Sequence, residues 1–400
     1  VEINSNIKIP RSLRERIGQL YFAKAMSNTE IRQLLKEQYD ILASKFAVLY
    51  ALDKTKNPIP QSFLDQSGSR RIIMKHRLID LLPLVSASDL RWADDEKIIL
   101  RFENSERVIV KRLVDFPAFG RLLGLYAAEG SKGNYGSATF GKCNAHIIEE
   151  YSSLLKQVLS AKLHKYEITG TGNRQPIFMI RVGGVCARRL LMNSIEATMN
   201  FLANSGNPSE LASELGLKFL SGYAEGDGSI SLRHQTKNPN AALFYITEGD
   251  ESQARKLCLI YKRLFGKGYL YHPARRNYYL VCLSLTPDDA LTLLRHGFFV
   301  HYDEMRKRLV SKAMESKRTI RLIALHKAFG DNSFTLHDIE RLGLNVSYTT
   351  LHRAVRQGIL KVTGAQPARE EHVKWYRLYG FTNFGLDLID PILSFYSCGN

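Results

Sequence analysis

Two carboxylates draw attention through the residues that precede them. Glu129 sits eighth in "LLGLYAAEG" (residues 122–130) and Asp227 eighth in "LSGYAEGDG" (residues 220–228), each followed by a glycine. The acids are 227 − 129 = 98 residues apart. Both stretches are apolar and helix-forming until the acid. Gly124 and Ala128 are four apart, as are Gly222 and Gly226, so each helix carries one smooth face of small residues. Two such faces let helix backbones approach more closely than the usual separation of about 8–10 Å. Gly226 inside a helix costs about 1 kcal/mol against alanine, which a close approach would explain. Helices packed in this way bring Glu129 and Asp227 out side by side, and close carboxylates repel unless a cation lies between them. A few oxygen ligands favour Mg²⁺, which keeps waters and borrows phosphate oxygens from its substrate. Such a site suits hydrolysis of phosphodiesters. No Ser-His-Asp set, nucleotide-binding P-loop or HExxH stretch competes for the chemistry, and the glycines of "GSKGNYG" lack the Lys-Ser/Thr ending of a phosphate loop.

The elements that must position the acids repeat as well. After "FGRLLGLYAAEG" come strand-like "YGSATFG", the amphipathic helix "NAHIIEEYSSLLKQVL", strands "HKYEITG" and "PIFMIRVG", and a short helix "GVCARRLLMNSI". After "KFLSGYAEGDG" come "SISLRH" and "ALFYIT", helix "DESQARKLCLIYKRLF", strands "KGYLYH" and "NYYLVCLSL", and helix "TPDDALTLLRHG". Asn144 and Asp250 are the expected N-caps of the long helices. The order helix, two strands, helix, two strands, helix in both stretches reads as an internal duplication, two similar domains rather than a solenoid.

The flanks differ. The first hundred residues read as largely helical, with Ser12 opening one amphipathic stretch and Ser27 capping a second, a spacing that fits a helix-turn-helix. "NPIPQSFLDQSGSRR" reads as a linker, and "EKIILRFENSERVIVKRL" as a hairpin around "ENSE". Toward the C-terminus, a helix from about Thr335, a turn at Gly343, a helix from about Ser347 to Arg356 and a hairpin have the layout of a winged helix. Its second helix offers Ser347, Tyr348, Thr349, His352, Arg353 and Arg356 to a major groove.

Composition narrows the partner. The 56 Lys and Arg exceed the 39 Asp and Glu, a formal net charge of +17 that suits a polyanion such as nucleic acid. The five cysteines (Cys143, Cys186, Cys258, Cys282, Cys398) form no CxxC pair, which fits a reduced cytoplasmic chain without a zinc knuckle. The sequence has neither a signal-peptide pattern nor an apolar run near the ~18 residues of a membrane span.

Taken together, the two nonapeptides and the element order after each resemble the LAGLIDADG homing endonucleases over roughly residues 115–310. The resemblance implies an α+β chain in which two pseudo-symmetric αββαββα domains form a saddle over duplex DNA, working as a monomer. The expected divisions are an N-terminal helical segment at 1–66, linker and hairpin at 67–114, the two domains at 115–206 and 207–312, and the winged-helix-like segment at 313–400. Glu129 and Asp227 become the Mg²⁺ ligands, and strand residues read the DNA. Matching positions are Thr139, Arg174, Gln175 and Arg181 in the first half, with Lys142 also on that strand. In the second half they are Arg233, His234, Gln235, Lys237, Arg275 and Arg276, with Ser347, Thr349, Arg353 and Arg356 added by the winged segment. Arg174–Gln175 and Arg275–Arg276 fall in turns, where phosphate contact is expected. Family members often place basic residues beside the metal, and Lys142 is the candidate here. Its symmetry mate falls near Thr247–Glu248, which is not basic. The leading expectation is therefore Mg²⁺-dependent cutting of both strands of a long DNA site. The alternatives are a transcription regulator that keeps the fold without cutting, a maturase bound to intron RNA, and an endonuclease excised from an intein.

Overall fold

The computed structural model describes residues 9–393 apart from 21–25, 52–72, 103–107, 132–135, 170–174, 205–208, 234–240, 368–374, 387–391 and shorter gaps. The linker read in residues 57–71, the turn "ENSE" and the cap Ser27 lie outside the described residues. The chain mixes helix and sheet and divides into two compact units: Val1–Gly228 with Ile246–Cys282, and Ser229–Tyr245 with Leu283–Asn400.

In the first unit, helices α1 (Arg11–Gly18) and α2 (Asn28–Tyr39) enclose a small core that includes Ile17, Ile31, Leu35 and Val48. Strands then fill residues 73–115, where only a linker and one hairpin were expected. β1 (Ile73–Lys75) pairs antiparallel with β2 (Leu78–Asp80), which pairs with β6 (Leu113–Asp115). β3 (Leu90–Ala93), β4 (Lys97–Leu100) and β5 (Val108–Lys111) form an antiparallel meander. Apolar runs of three or four residues carry no readable period, which is why β1 to β3 were not anticipated. The expected hairpin is present as β4–β5, in register from Lys97↔Lys111 to Leu100↔Val108.

The centre of this unit is α3 (Phe116–Glu129). The Asp115 side chain caps it by accepting from the Ala118 N–H at 3.3 Å, and Pro117 sits in the first turn, where a missing N–H does no harm. From Phe119 to Ala127 it is buried without interruption, as for a helix enclosed on every side. β7 (Ala138–Lys142) follows, then α4 (Ala145–Val158), β8 (Leu159–Ser160), β9 (Leu163–Ile168), β10 (Ile177–Val182) and α5 (Val185–Asn204). β7, β10 and β9 make a three-stranded antiparallel sheet in that order. Where the expectation had a further strand after Glu129, the described residues have a Gly130↔Phe140 bridge. β8 leaves this sheet and pairs with β5 of the meander. α5 has 20 residues, longer than the short helix expected, because Ser194, Ile195, Thr198, Met199, Phe201 and Leu202 continue its buried face.

α6 (Glu210–Asp227) starts from Ser209, whose side chain accepts from the Ala212 N–H at 3.2 Å. β11 (Gly228–Arg233), β12 (Ala241–Glu248), β13 (Tyr269–Tyr271) and β14 (Tyr279–Leu285) build a four-stranded sheet in the order β11-β12-β14-β13. α7 (Glu251–Phe265) lies between β12 and β13 in the chain. The anticipated caps form: Asn144 accepts from the His146 N–H at 3.0 Å, and Asp250 from the Gln253 N–H at 2.8 Å.

The second unit carries α8 (Pro287–Arg295), α9 (Asp303–Ala313) and α10 (Lys317–Phe329), the last two not anticipated as separate elements. α11 (Leu336–Arg341) opens with a Thr335–Asp338 capping box. Gly343 turns the chain at φ 65°, and α12 (Tyr348–Arg356) follows. β15 (Leu360–Pro367) and β16 (Trp375–Phe381) close this unit as an antiparallel hairpin.

Candidate metal centre and nucleic-acid interface

The two small-residue faces meet. A Cβ built on Gly124 would lie 2.7 Å from the Tyr223 backbone nitrogen and 3.0 Å from the Gly222 Cα. A Cβ on Gly222 would lie 2.8 Å from the Leu125 nitrogen and 3.1 Å from the Gly124 Cα. Only glycine lets the backbones of α3 and α6 come this close. The contact runs on to the helix ends: a Cβ on Gly226 would sit 3.0 Å from Cγ and 3.4 Å from Oε1 of Glu129. The Glu129 carboxylate thus lies against the residue that immediately precedes Asp227. Both acids are the final residues of their helices and are partly buried, and Gly130 and Gly228 carry the chain away in extended conformation.

Lys142, the last residue of β7, reaches the same place. Its Nζ donates to Glu129 Oε1 and, at 3.2 Å, to the Gly226 carbonyl. An ammonium therefore bridges the ends of both helices. Among the described residues, no group of three or more His, Cys, Asp or Glu gathers as a larger metal cage. A pair of carboxylates completed by water and phosphate oxygens still suits Mg²⁺.

An ion triad, buried at Arg121 and Glu225 and partly exposed at Glu150, ties the two helices together. Arg121 Nη2 donates to Glu225 Oε1 and to Glu150 Oε2, each at 2.9 Å, and its Nε to Glu150 Oε1 at 3.0 Å. Glu225 is 0% exposed. Burial works against the Arg121 charge, but the bond to Glu150 and the charges of both glutamates outweigh it and raise the guanidinium pKa. The triad joins α3, α4 and α6 two residues before Asp227. Sequence reading passed it over, although an arginine and a glutamate inside otherwise apolar helices were a signal. Tyr223, one turn earlier on α6, donates its hydroxyl to Glu248. Burial first, then the charge and hydrogen bond of Glu248 and the charge of Asp227, push that hydroxyl well above its ordinary pKa.

The expected DNA-contacting residues are distributed as follows. Thr139 and Arg181 are register partners on β7 and β10, and Arg181 is exposed, donating Nε to Ser137 Oγ at 2.9 Å. His164 on β9 pairs with Arg181 from the other side, so Thr139, Arg181 and His164 form one polar row across the sheet. His164 was not among the anticipated residues, because only the register reveals it. Phe140, Ile180 and Val182 are buried on the opposite face. Exposed Tyr166, Ile168 and Ile177 share the face of the polar row. Gln175 is exposed just before β10, and Arg275 (φ 64°) and Arg276 are exposed in the turn between β13 and β14. On α12, Leu351 and Ala354 are buried, whereas Thr349, Arg353 and Arg356 are exposed at i, i+4 and i+7, one outer face. Ser347 is exposed just before that helix. Arg233 is the last residue of β11. Arg174, His234, Gln235 and Lys237 lie outside the described residues.

No family model and no curated protein matches the sequence. Its neighbours among solved structures are LAGLIDADG homing endonucleases and a LAGLIDADG domain of WhiA. The N-terminal LAGLIDADG domain of DUF199/WhiA is 14% identical over 44% of this chain and 79% of its own, with a TM-score of 0.31. I-DmoI, solved in complex with DNA and Ca, is 14% identical over 45% of this chain and 90% of its own, with a TM-score of 0.33. A variant of I-SmaMI is 13% identical over 50% of this chain and 92% of its own, with a TM-score of 0.33. These likenesses are distant and partial. No described helix is long and apolar enough to cross a membrane.

Proposed function

We propose that this protein is a site-specific, Mg²⁺-dependent double-strand DNA endonuclease of the LAGLIDADG homing type. One observation carries the reading: the Glu129 carboxylate lies against Gly226, at the shared end of two glycine-faced helices that finish on Glu129 and Asp227. Glu129 and Asp227 hold the metal. When bound, the cation polarises the phosphate and lowers the pKa of an attacking water. Lys142, beside Glu129, donates to a phosphoryl oxygen as negative charge develops there. The Arg121–Glu225–Glu150 triad and the glycine faces hold the carboxylates in register.

The stretches 115–206 and 207–312 act as two copies of one unit, so one chain completes the site and works as a monomer. The polar row Thr139, Arg181 and His164 faces the duplex, and exposed Tyr166, Ile168 and Ile177 beside it suit thymine methyl groups. Arg174, Gln175, Arg275 and Arg276 contact phosphates, and Arg233, His234, Gln235 and Lys237 extend the interface. The segment after residue 313 acts as a winged helix, with Ser347 and, from α12, Thr349, Arg353 and Arg356 on the DNA. The net charge of +17 supports a nucleic-acid partner.

The test is a randomised duplex library incubated with Mg²⁺ or with EDTA. The expected result is metal-dependent cutting at one long site, abolished by Asp227→Asn with binding retained. Tight sequence-specific binding without cutting in any divalent metal would replace this reading with that of a regulator. Preference for a structured intron RNA would replace it with that of a maturase.

A further inference from the structure

Strand register sorts the outward face of the β7–β10–β9 sheet into three rows. Register partners share a face, and every second residue returns to it. The polar row of Thr139, Arg181 and His164 is the first. Two residues along, Gly141 pairs with Met179 and Met179 with Tyr166. Gly141 leaves the space that the Met179 side chain fills: a Cβ built there would lie 3.1 Å from the Met179 Cε, with Sδ nearer still. Two residues farther, Ile177 pairs with Ile168. Lys142, whose Nζ reaches Glu129, pairs with Phe178, so the isoleucine row is the one nearest the helix-end acids. Tyr166, Ile168 and Ile177 are 43%, 48% and 39% exposed, an apolar patch open to solvent. None of the side chains in the three rows is acidic, and Arg181 and His164 border the patch, which suits a polyanion that also presents apolar groups. The Arg181 Nε donates to Ser137 Oγ at 2.9 Å, which fixes the side chain and leaves its two Nη groups for a bidentate partner.

We infer that the first half of the protein reads a graded half-site, in which thymine methyl groups select the base pairs nearest the cut and a guanine about four base pairs farther out meets Arg181. This rests on the nuclease reading above and deepens it by naming the class of sequence bound. Strand residues advance about 3.4 Å each, so neighbouring rows stand about 6.8 Å apart. That spacing matches about two base pairs at about 3.4 Å per step. An isoleucine side chain has no donor or acceptor and so cannot tell the polar edges of the bases apart. The group it distinguishes in the major groove is the C5-methyl of thymine. A guanidinium instead matches guanine O6 and N7 with two donors. Burying one methyl corresponds to about a 4-fold change in affinity.

The experiment uses the full chain and the duplex it selects from a randomised library in Ca²⁺, with Kd measured after single-base changes. Replacing thymine by deoxyuridine, which removes only the methyl, is expected to weaken binding about 4-fold at each position under the two apolar rows. Cytosine placed there regains a similar factor when it carries a 5-methyl group. In Ile168→Ser/Ile177→Ser, thymine and deoxyuridine become equivalent in the innermost pairs. That ratio compares two duplexes on one protein, so a general loss of affinity or stability does not move it. Arg181→Ala lowers the preference for guanine at the outer position by at least about 5-fold. Deoxyuridine without effect at every thymine of the half-site overturns this inference and leaves the nuclease reading standing. So does a double variant that keeps the wild-type ratio, which would leave the patch to a protein partner, or a guanine preference that Arg181→Ala does not change. A chain that selects no sequence from the library and cuts no duplex in Mg²⁺ overturns both.

Discussion

Gly222→Ala tests the helix pairing on which the site depends. The added Cβ would stand 2.8 Å from the Leu125 nitrogen and 3.1 Å from the Gly124 Cα, with the Arg121 carbonyl oxygen nearer still. All three are backbone atoms of α3, so no rotamer change relieves them, and the helices must move apart by roughly 1 Å. Overpacking of this kind costs about 1–3 kcal/mol. Alanine returns about 1 kcal/mol of helix propensity. Because the obstacle is backbone, the cost belongs at the upper end, leaving a net loss of about 1–2 kcal/mol. Both carboxylates ride on these helices, and a misplacement near 1 Å lowers a catalytic rate by about 10²-fold. Urea unfolding and the cutting assay measure the two effects. Gly249→Ala is the control: nothing lies within 4 Å of its added Cβ, and its stability should stay within about 0.5 kcal/mol of wild type. If Gly222→Ala proved as stable as that control, close packing would not be the reason for the glycines.

Three further outcomes are expected. Glu225→Ala removes the fully buried partner of Arg121, which keeps its two bonds to Glu150, and should cost about 1–3 kcal/mol in urea unfolding; an unchanged stability would mean that this bond adds nothing to the fold. Tyr151, Tyr223 and Tyr261 are buried, and burial raises each hydroxyl well above its ordinary pKa of 10.0. The unfolded chain then loses these protons near pH 10 while the folded chain keeps them, so stability is full below that pH and falls above it, by up to about 1.4 kcal/mol per pH unit for each tyrosine. Tyr261→Phe should flatten the decline between pH 9 and 11 by one such contribution, and an unchanged slope would contradict the assignment. Arg353→Ala removes a cation from the outer face of α12; DNA affinity should weaken and the slope of log K against log salt should drop by about 1, whereas an unaltered slope would remove that helix from the interface.

What could be read from the sequence was local or repeated. The nonapeptides, 227 − 129 = 98 residues apart, exposed the paired acids because their helical spacing is written in consecutive residues. The caps Asn144 and Asp250, the Thr335 helix start and the β4–β5 hairpin were legible for the same reason: each depends on partners a few residues away. Other features depended on contacts distant in the chain. β8 pairs with β5 some fifty positions earlier, and the polar row Thr139–Arg181–His164 needs a register that no single strand reveals. Arg121 and Glu225, 104 residues apart, look like isolated charges until α3 and α6 pack. Lys142 and Glu248 could be aligned by hand as basic and acidic. Only the packed chain decided that one turns to Glu129 and the Gly226 carbonyl and the other to Tyr223, because which partner a side chain reaches is set by tertiary burial and not by the order of residues.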